Sequence, residues 1–426
     1  MKATNNKSHS RIFKNALFLY ALTFSNYLIG LFLLPYLSRV LSVEKFGVIG
    51  FATSFCLVFQ MVVEYGFQLS TTATISVHRD DKAKMSRTIS TMTYTKLLLA
   101  CGASAVFLAC AMFVDMLRGH FVIILLFFVD SIAKALLPDA YFRGIERMKD
   151  ITIRAVSAKS GILVATLLFV KGDDTLIIYP VSMIVFDTIA LLWAFSLLKR
   201  DGLKATGTTM REMLEALKDS FWFFISRISV SINGSLGSIF LGMRYSPESV
   251  EMGLYSGATK LSSAGEQMIP PLGDALYPSM VNKKEPKDAA PQHYAVEQPV
   301  VLLVDHRRVE GIAEVLATPL CVLILGGQYA SAGRFLRILM VGVFFGYFSF
   351  MFGYPALSPI RKATWANAAI MVSAIVNLTA CAVLWLTGNI TPLTVCVVFS
   401  STNITTFIVR FGAFMKFRNL AEQDAE

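Results

Sequence analysis

Residues 128–144 read FVDSIAKALLPDAYFRG, and two opposite charges, Asp130 and Lys134, stand four apart within an apolar run that begins at Phe121. That spacing puts both on one face of a helix. Lys96, Lys159, Arg227, Lys260 and Arg337 also fall inside apolar runs, as do the acids Glu64, Asp187, Glu266 and Asp274. Each ionised side chain at the centre of a membrane helix costs about 2.5–3.5 kcal/mol on the insertion scale, so such a set needs a compensating reason. Two chemistries offer one. Cations hold anions through charge-assisted hydrogen bonds, and buried carboxylates exchange protons or bind cations. Arg227, Lys260 and Lys134 are the candidates for anion binding; Asp130, Asp187, Glu64, Glu266 and Asp274 are candidate coupling acids. For Asp130 and Lys134 a self-satisfying ion pair is an equally good reading.

Two further patterns place the cations. Arg227, Ser231, Gly234, Ser235 and Ser238 recur at i, i+4, i+7, i+8 and i+11, a polar stripe with no acid on it. Gly253, Gly257, Lys260, Ala264, Gln267, Pro271 and Asp274 alternate steps of four and three, with Leu254, Leu261, Met268, Ala275 and Leu276 opposite. Gly253 and Gly257 read as helix packing of the small-residue kind. Lys260, Gln267 and Asp274 are expected to face a protein-lined, hydrated cavity, since they cannot face lipid cheaply, and Pro270 and Pro271 are expected to interrupt that helix.

The elements that must carry these residues are membrane helices. The chain of 426 residues is 55% hydrophobic and only 16% charged, with mean hydropathy +0.58. Soluble chains carry roughly a quarter charged residues. Apolar runs long enough to span occur near 13–37, 46–68, 88–114, 120–142, 151–170 and 175–198, and after a polar stretch near 220–243, 252–280, 309–326, 331–357, 364–387 and 390–413. The expected architecture is therefore all-α, with twelve transmembrane helices in two six-helix bundles, 1–198 and 220–426, joined by a cytoplasmic linker at 199–219. The ninth run is the weakest, because it carries Glu310 and Glu314 and follows the irregular segment 282–308.

Charge supports the count. With both ends placed in the cytoplasm, 27 of the 39 Lys and Arg residues fall in cytoplasmic segments, Arg154 and Arg410 among them, and 6 fall outside. This is a strong positive-inside bias, and it accounts for the net charge of +10 without nucleic acid. The first apolar run is longer than a signal-peptide core and lacks a small-x-small site, so helix 1 is expected to be retained. All six cysteines lie in runs without a CxxC pair or neighbouring histidines, a pattern that points to neither disulfides nor a metal site. The five histidines sit in the tail or loops, and no Walker A sequence is present, so neither metal nor ATP chemistry is expected.

An internal echo adds to the six-plus-six pattern. GVIGFATSF (47–55) and GLYSGATKL (253–261) share Gly, Ala and Thr at an offset of 206 residues, as parallel repeats would. The segments NALFLYALTFSNYLIGLFLLPYLSRVLSVEKFGVIGFATSF (15–55), VEYGFQLSTTATISVHRDD (63–81), PDAYFRGIERMK (138–149) and MGLYSGATKLSSAGEQMIPPLGDALYPSM (252–280) resemble the polysaccharide branch of the multidrug/oligosaccharidyl-lipid/polysaccharide exporter superfamily, and within it the O-antigen flippases of the Wzx type. The resemblance runs over nearly the whole chain; the YFRG at 141–144 and residues 284–308 depart from the family pattern.

The resemblance implies a V-shaped pair of six-helix bundles in a bacterial inner membrane. It implies movement of an undecaprenyl-pyrophosphate-linked O unit from the cytoplasmic to the periplasmic leaflet by alternating access, without enzymatic chemistry. The implied partners are the lipid-linked oligosaccharide, membrane lipid, and the polymerase and chain-length regulator of O-antigen assembly. No cofactor is implied beyond proton or sodium coupling. The rivals are a drug or small-molecule cation antiporter of the same superfamily, which would want an acid in helix 1 where residues 15–38 hold none, a peptidoglycan lipid flippase, which would want two extra helices, and a membrane polymerase or glycosyltransferase, which would want a sizeable periplasmic loop.

Overall fold

The computed structural model describes residues 2–267, 306–358 and 360–417; side chains are described for Phe18, for 21–267 except Asn26, and from Leu316 onward. Every regular element among them is helical. In order these are α1 (Lys2–Val40), α2 (Val43–Glu64), α3 (Phe67–Val77), α4 (Lys82–Phe113), α5 (Asp115–Gly119), α6 (Phe121–Ala135), α7 (Asp139–Gly144), α8 (Met148–Phe169) and α9 (Ile178–Arg200). Then come α10 (Met210–Tyr245), α11 (Val250–Glu266), α12 (His306–Leu325), α13 (Gly333–Met351), α14 (Tyr354–Leu357), α15 (Thr364–Leu386) and α16 (Pro392–Phe417).

Among the described residues ten spans are long and apolar enough to cross a membrane. The other two of the expected twelve fall where description is partial. α11 ends where the described residues nearly stop, so Pro270, Pro271 and Asp274 lie outside them, as does most of 282–308. The ninth run corresponds to α12, whose apolar part is Leu316–Leu325.

Two of the spans are broken, and both breaks have local causes. α2 starts on Ser42, whose hydroxyl accepts from Lys45 N at 3.3 Å, and stops at Tyr65 and Gly66, both left-handed at φ 48° and 72°. Gly66 is required there for a second reason. A Cβ on it would stand 2.7 Å from the backbone nitrogen of Phe224, while the Tyr65 ring stacks on that phenylalanine at 4.4 Å. The run expected as one helix at 120–142 splits into α6 and α7 around Leu136–Pro138, because Pro138 has no N–H to continue the ladder and its ring disfavours helix in the residue before it. α4 is capped by Asp81, whose carboxylate accepts from Lys84 N at 2.9 Å, and that hydrogen bond holds its pKa below the usual range.

The chain divides into two compact units, Met1–Lys45 with Phe55–Ile228 and Phe46–Ser54 with Ser229–Glu426, so one boundary falls inside α10 and residues 199–219 lie in the first unit. There the segment after α9 is tied along α4: Lys204 N and Thr206 N donate to the hydroxyls of Ser86 and Ser90 at 3.3 and 3.0 Å. The fit is geometric, since two extended residues and four helical residues both advance about 6 Å. Farther along α4, Phe107 joins Phe55, Phe59 and Phe128 in an aromatic cluster, with Phe107 and Phe128 stacked at 4.3 Å.

In the second unit α13 packs on α16 through Phe348, Phe352, Phe407, Phe411 and Phe414, and Ser400 Oγ donates to Ile338 O at 2.6 Å. Arg410, placed by sequence among the cytoplasmic cations, is buried in α16. Its guanidinium donates to Ser349 O at 2.8 Å, a carbonyl in the last turn of α13, and to Ala366 O at 3.0 Å near the start of α15. Repeat-related residues meet here as well. A Cβ on Gly47 would lie 2.8 Å from Gly253 N, and one on Gly50 would collide with the Ser256 side chain, and both pairs are separated by the same 206 residues. Gly257 likewise leaves room for the Tyr329 ring, 2.9 Å from where its Cβ would stand.

This contact predicts a contrast. Gly47→Val should destabilise the detergent-solubilised protein by about 1–3 kcal/mol, because the obstacle is backbone. Gly102→Ala, where an added methyl meets nothing within 4 Å, should be neutral or stabilise by up to about 1 kcal/mol. Thermal unfolding of the two variants measures both.

Candidate functional site

Eight charged residues of the first unit line one cavity of about 440 Å³. Its walls come from α2 and α3 (Gln60, Glu64, Gln68), α4 (Lys96), α6 (Lys134), α7 (Asp139), α8 (Arg154, Lys159), α9 (Asp187) and α10 (Arg227). α8 contributes through one face, since Arg154, Ala155, Ala158 and Lys159 follow i, i+1, i+4, i+5.

The Asp130–Lys134 pair is formed, with Lys134 Nζ donating to Asp130 Oδ2 at 2.7 Å. A second acid joins it. Asp187 Oδ2, from α9, stands 3.4 Å from the same ammonium, so one lysine serves two carboxylates. Asp130 and Asp187 are buried, while Lys134 keeps 29% of its side chain accessible and lines the cavity. Arg227 meets Glu64 Oε2 at 3.7 Å and donates to Gln68 Oε1 at 3.3 Å. The α2 break brings these two partners to it. Its polar stripe continues into buried Ser231, Ser235 and Ser238 in the second unit.

Three cations and an acid join Glu64, Asp130, Asp187, Lys134 and Arg227 at the site. Lys96 is 3% exposed and donates to Ala135 O at 2.7 Å and Leu137 O at 3.3 Å, the carbonyls freed where Pro138 stops α6. Arg154, counted with the cytoplasmic loops, is buried and paired with Asp139, because α8 starts at Met148 and carries it inward. Lys159 lines the cavity with neither ion pair nor hydrogen bond among the described residues. Lys96 and Lys159 were legible as span cations; no signal in the sequence marks the carbonyl and carboxylate partners that come from other helices.

The remaining candidates lie elsewhere. Lys260 is half-buried on α11 in the second unit, Glu266 lies on the same helix, and neither lines this cavity. Asp274 lies outside the described residues. The cavity thus presents amides, carboxylates and an excess of ammonium and guanidinium groups inside a membrane-spanning unit, the chemistry of a polar, anionic ligand.

The sequence pattern of the family described as "Polysaccharide biosynthesis protein" matches residues 12–283, well over half of the chain. The chain belongs to that family. It is 26% identical over 318 residues to a "Putative O-antigen transporter" of Escherichia coli (strain K12), covering 74% of this chain and 71% of that one. A protein of the same description from Shigella dysenteriae is 27% identical over 276 residues, covering 63% and 67%. Among solved structures, an inward-facing multidrug resistance MATE family transporter of the MOP superfamily superposes with TM-score 0.62 over 94% of this chain and 95% of its own, at 12% identity. The lipid II flippase MurJ in an inward closed conformation gives 0.62 over 95% and 90%, at 13% identity. At those identities the likeness is one of fold, and the ten apolar spans among the described residues make the chain a multi-pass membrane protein.

Removing one half of a buried pair should show how tightly the site is balanced. Arg154→Met leaves Asp139 uncompensated and is expected to destabilise by about 3–5 kcal/mol, with most of the loss recovered when Asp139→Asn is added. Thermal unfolding of the single and double variants in detergent measures the recovery.

Proposed function

We propose that the protein is a flippase that moves an undecaprenyl-pyrophosphate-linked O-antigen oligosaccharide from the cytoplasmic to the periplasmic leaflet of a bacterial inner membrane by alternating access. The observation that carries this reading is the cavity of the first unit, where Lys134, Lys159 and Arg227 line a polar space inside the membrane-spanning part of a polysaccharide biosynthesis protein. A pyrophosphate head group is what such a site compensates best. Its oxygens take charge-assisted hydrogen bonds that are strong where water is scarce, and its polyprenyl tail needs no site because lipid solvates it. Gln60, Glu64 and Gln68 supply the planar polar groups that pair with sugar hydroxyls.

Twelve helices with both termini in the cytoplasm, arranged as two bundles of six, go with this reading and with the positive-inside bias. The O-antigen polymerase and its chain-length regulator would then consume the product on the far side. A proton or sodium ion is the coupling species for which the buried acids suit the cavity.

Lys159→Gln and Arg227→Gln, expressed in the native host in place of wild type, should each lower surface O-antigen by about tenfold or more, the equivalent of one lost charge-assisted hydrogen bond. Immunoblotting of surface polysaccharide against membrane content of each variant provides the test. Wild-type display by both stably inserted variants would remove the cavity from the pathway.

A further inference from the structure

The charges of the first-unit cavity nearly cancel before any ligand arrives. Lys96 of α4, Lys134 of α6, Arg154 and Lys159 of α8 and Arg227 of α10 supply the positive charge. Glu64 of α2, Asp130 of α6, Asp139 of α7 and Asp187 of α9 supply the negative, leaving one cation in excess. The Cys56 thiol of α2 and the Tyr179 phenol of α9 are the other titratable groups facing the Asp130–Lys134 pair, and both are neutral in their ordinary range.

A pyrophosphate diester keeps one ionised oxygen on each phosphate, so its entry turns a slight cationic excess into an anionic one. Uncompensated charge is expensive beside buried carboxylates such as Asp130 and Asp187. The carboxylates are placed to relieve it. Asp130 Oδ1 and Glu64 Oε1 are buried with no hydrogen-bond partner among the described residues, whereas ionised carboxylates normally gather donors on both oxygens. Asp187 Oδ2 makes no hydrogen bond either, holding only its 3.4 Å approach to Lys134. Two acids around one lysine cannot both keep their counter-charge once an anion competes for it.

We infer that the anionic head group and a proton occupy this cavity together, the proton passing from water to a carboxylate oxygen of Asp130 or Asp187 as the phosphates take over Lys134 and Lys159. The inference rests on the head-group reading above and adds the sign of the coupling: ligand and proton help rather than exclude each other. Linkage is reciprocal, so what the anion does for protonation the proton does for anion binding.

The test is a titration of the purified full-length protein in detergent, lightly buffered near neutrality with an indicator dye. The probe is a short-chain polyprenyl pyrophosphoryl sugar, a diester whose own charge is constant there. Uptake of about one proton per bound probe is expected, with affinity tightening by up to about tenfold for each unit fall in pH. Asp187→Asn should bind the probe with that uptake reduced or lost, as should Asp130→Asn. Binding without proton uptake, or with release, would overturn the inference and leave the head-group reading standing; unchanged uptake in both variants would overturn the assignment to this cluster. Failure of the wild-type protein to bind the probe would overturn both readings. The wild-type stoichiometry decides the matter even where a variant does not fold.

Discussion

A charge in hydrocarbon must be answered within hydrogen-bond reach, and most of the first unit is arranged to give such answers. Lys134 is held between Asp130 and Asp187, Arg154 is held by Asp139, and Arg227 by Glu64 and Gln68. Lys96 takes the carbonyls of a broken helix in place of an acid. These pairings link α2, α3, α4, α6, α7, α8, α9 and α10 into one polar interior, surrounded by the apolar and aromatic faces that meet lipid and neighbouring helices. A hydrophobic contact tolerates sliding, while a buried ion pair does not. The same charges that are costly to insert therefore fix where the cavity is.

The backbone breaks serve this arrangement. Tyr65 and Gly66 end α2 so that Glu64 and Gln68 reach Arg227 from consecutive helices, and close approach of the Phe224 backbone makes a side chain at Gly66 intolerable. Pro138 ends α6 and exposes the carbonyls that give Lys96 a partner. In each case a residue that interrupts a helix brings a polar group to the cavity rather than merely bending the span.

Periodicity and charge counting read the helical class, most of the spans and the Asp130–Lys134 pair directly, because i,i+4 neighbours meet on any helix. The 206-residue echo also had a structural counterpart, since Gly47 and Gly50 face Gly253 and Ser256. What the sequence hid were contacts between helices. Asp187 lies 53 residues from Lys134, and Glu64 lies 163 from Arg227, so nothing local marks them as partners. Arg154 and Arg410 stood near run ends and counted with the loops, although the helices carry both inward. Lys260 looked equivalent to Arg227 on spacing alone, yet it belongs to the other unit.

The central claim is that this cavity serves the transfer of a lipid-linked oligosaccharide between leaflets, and the most direct measurement is the leaflet location of that intermediate in native cells lacking the gene. The account predicts complete lipid-linked units accumulating on the cytoplasmic leaflet, with surface polymer lost and both restored by the wild-type gene. Units reaching the periplasmic leaflet unpolymerised in the deletion strain would contradict it and move the protein's role to a step after flipping.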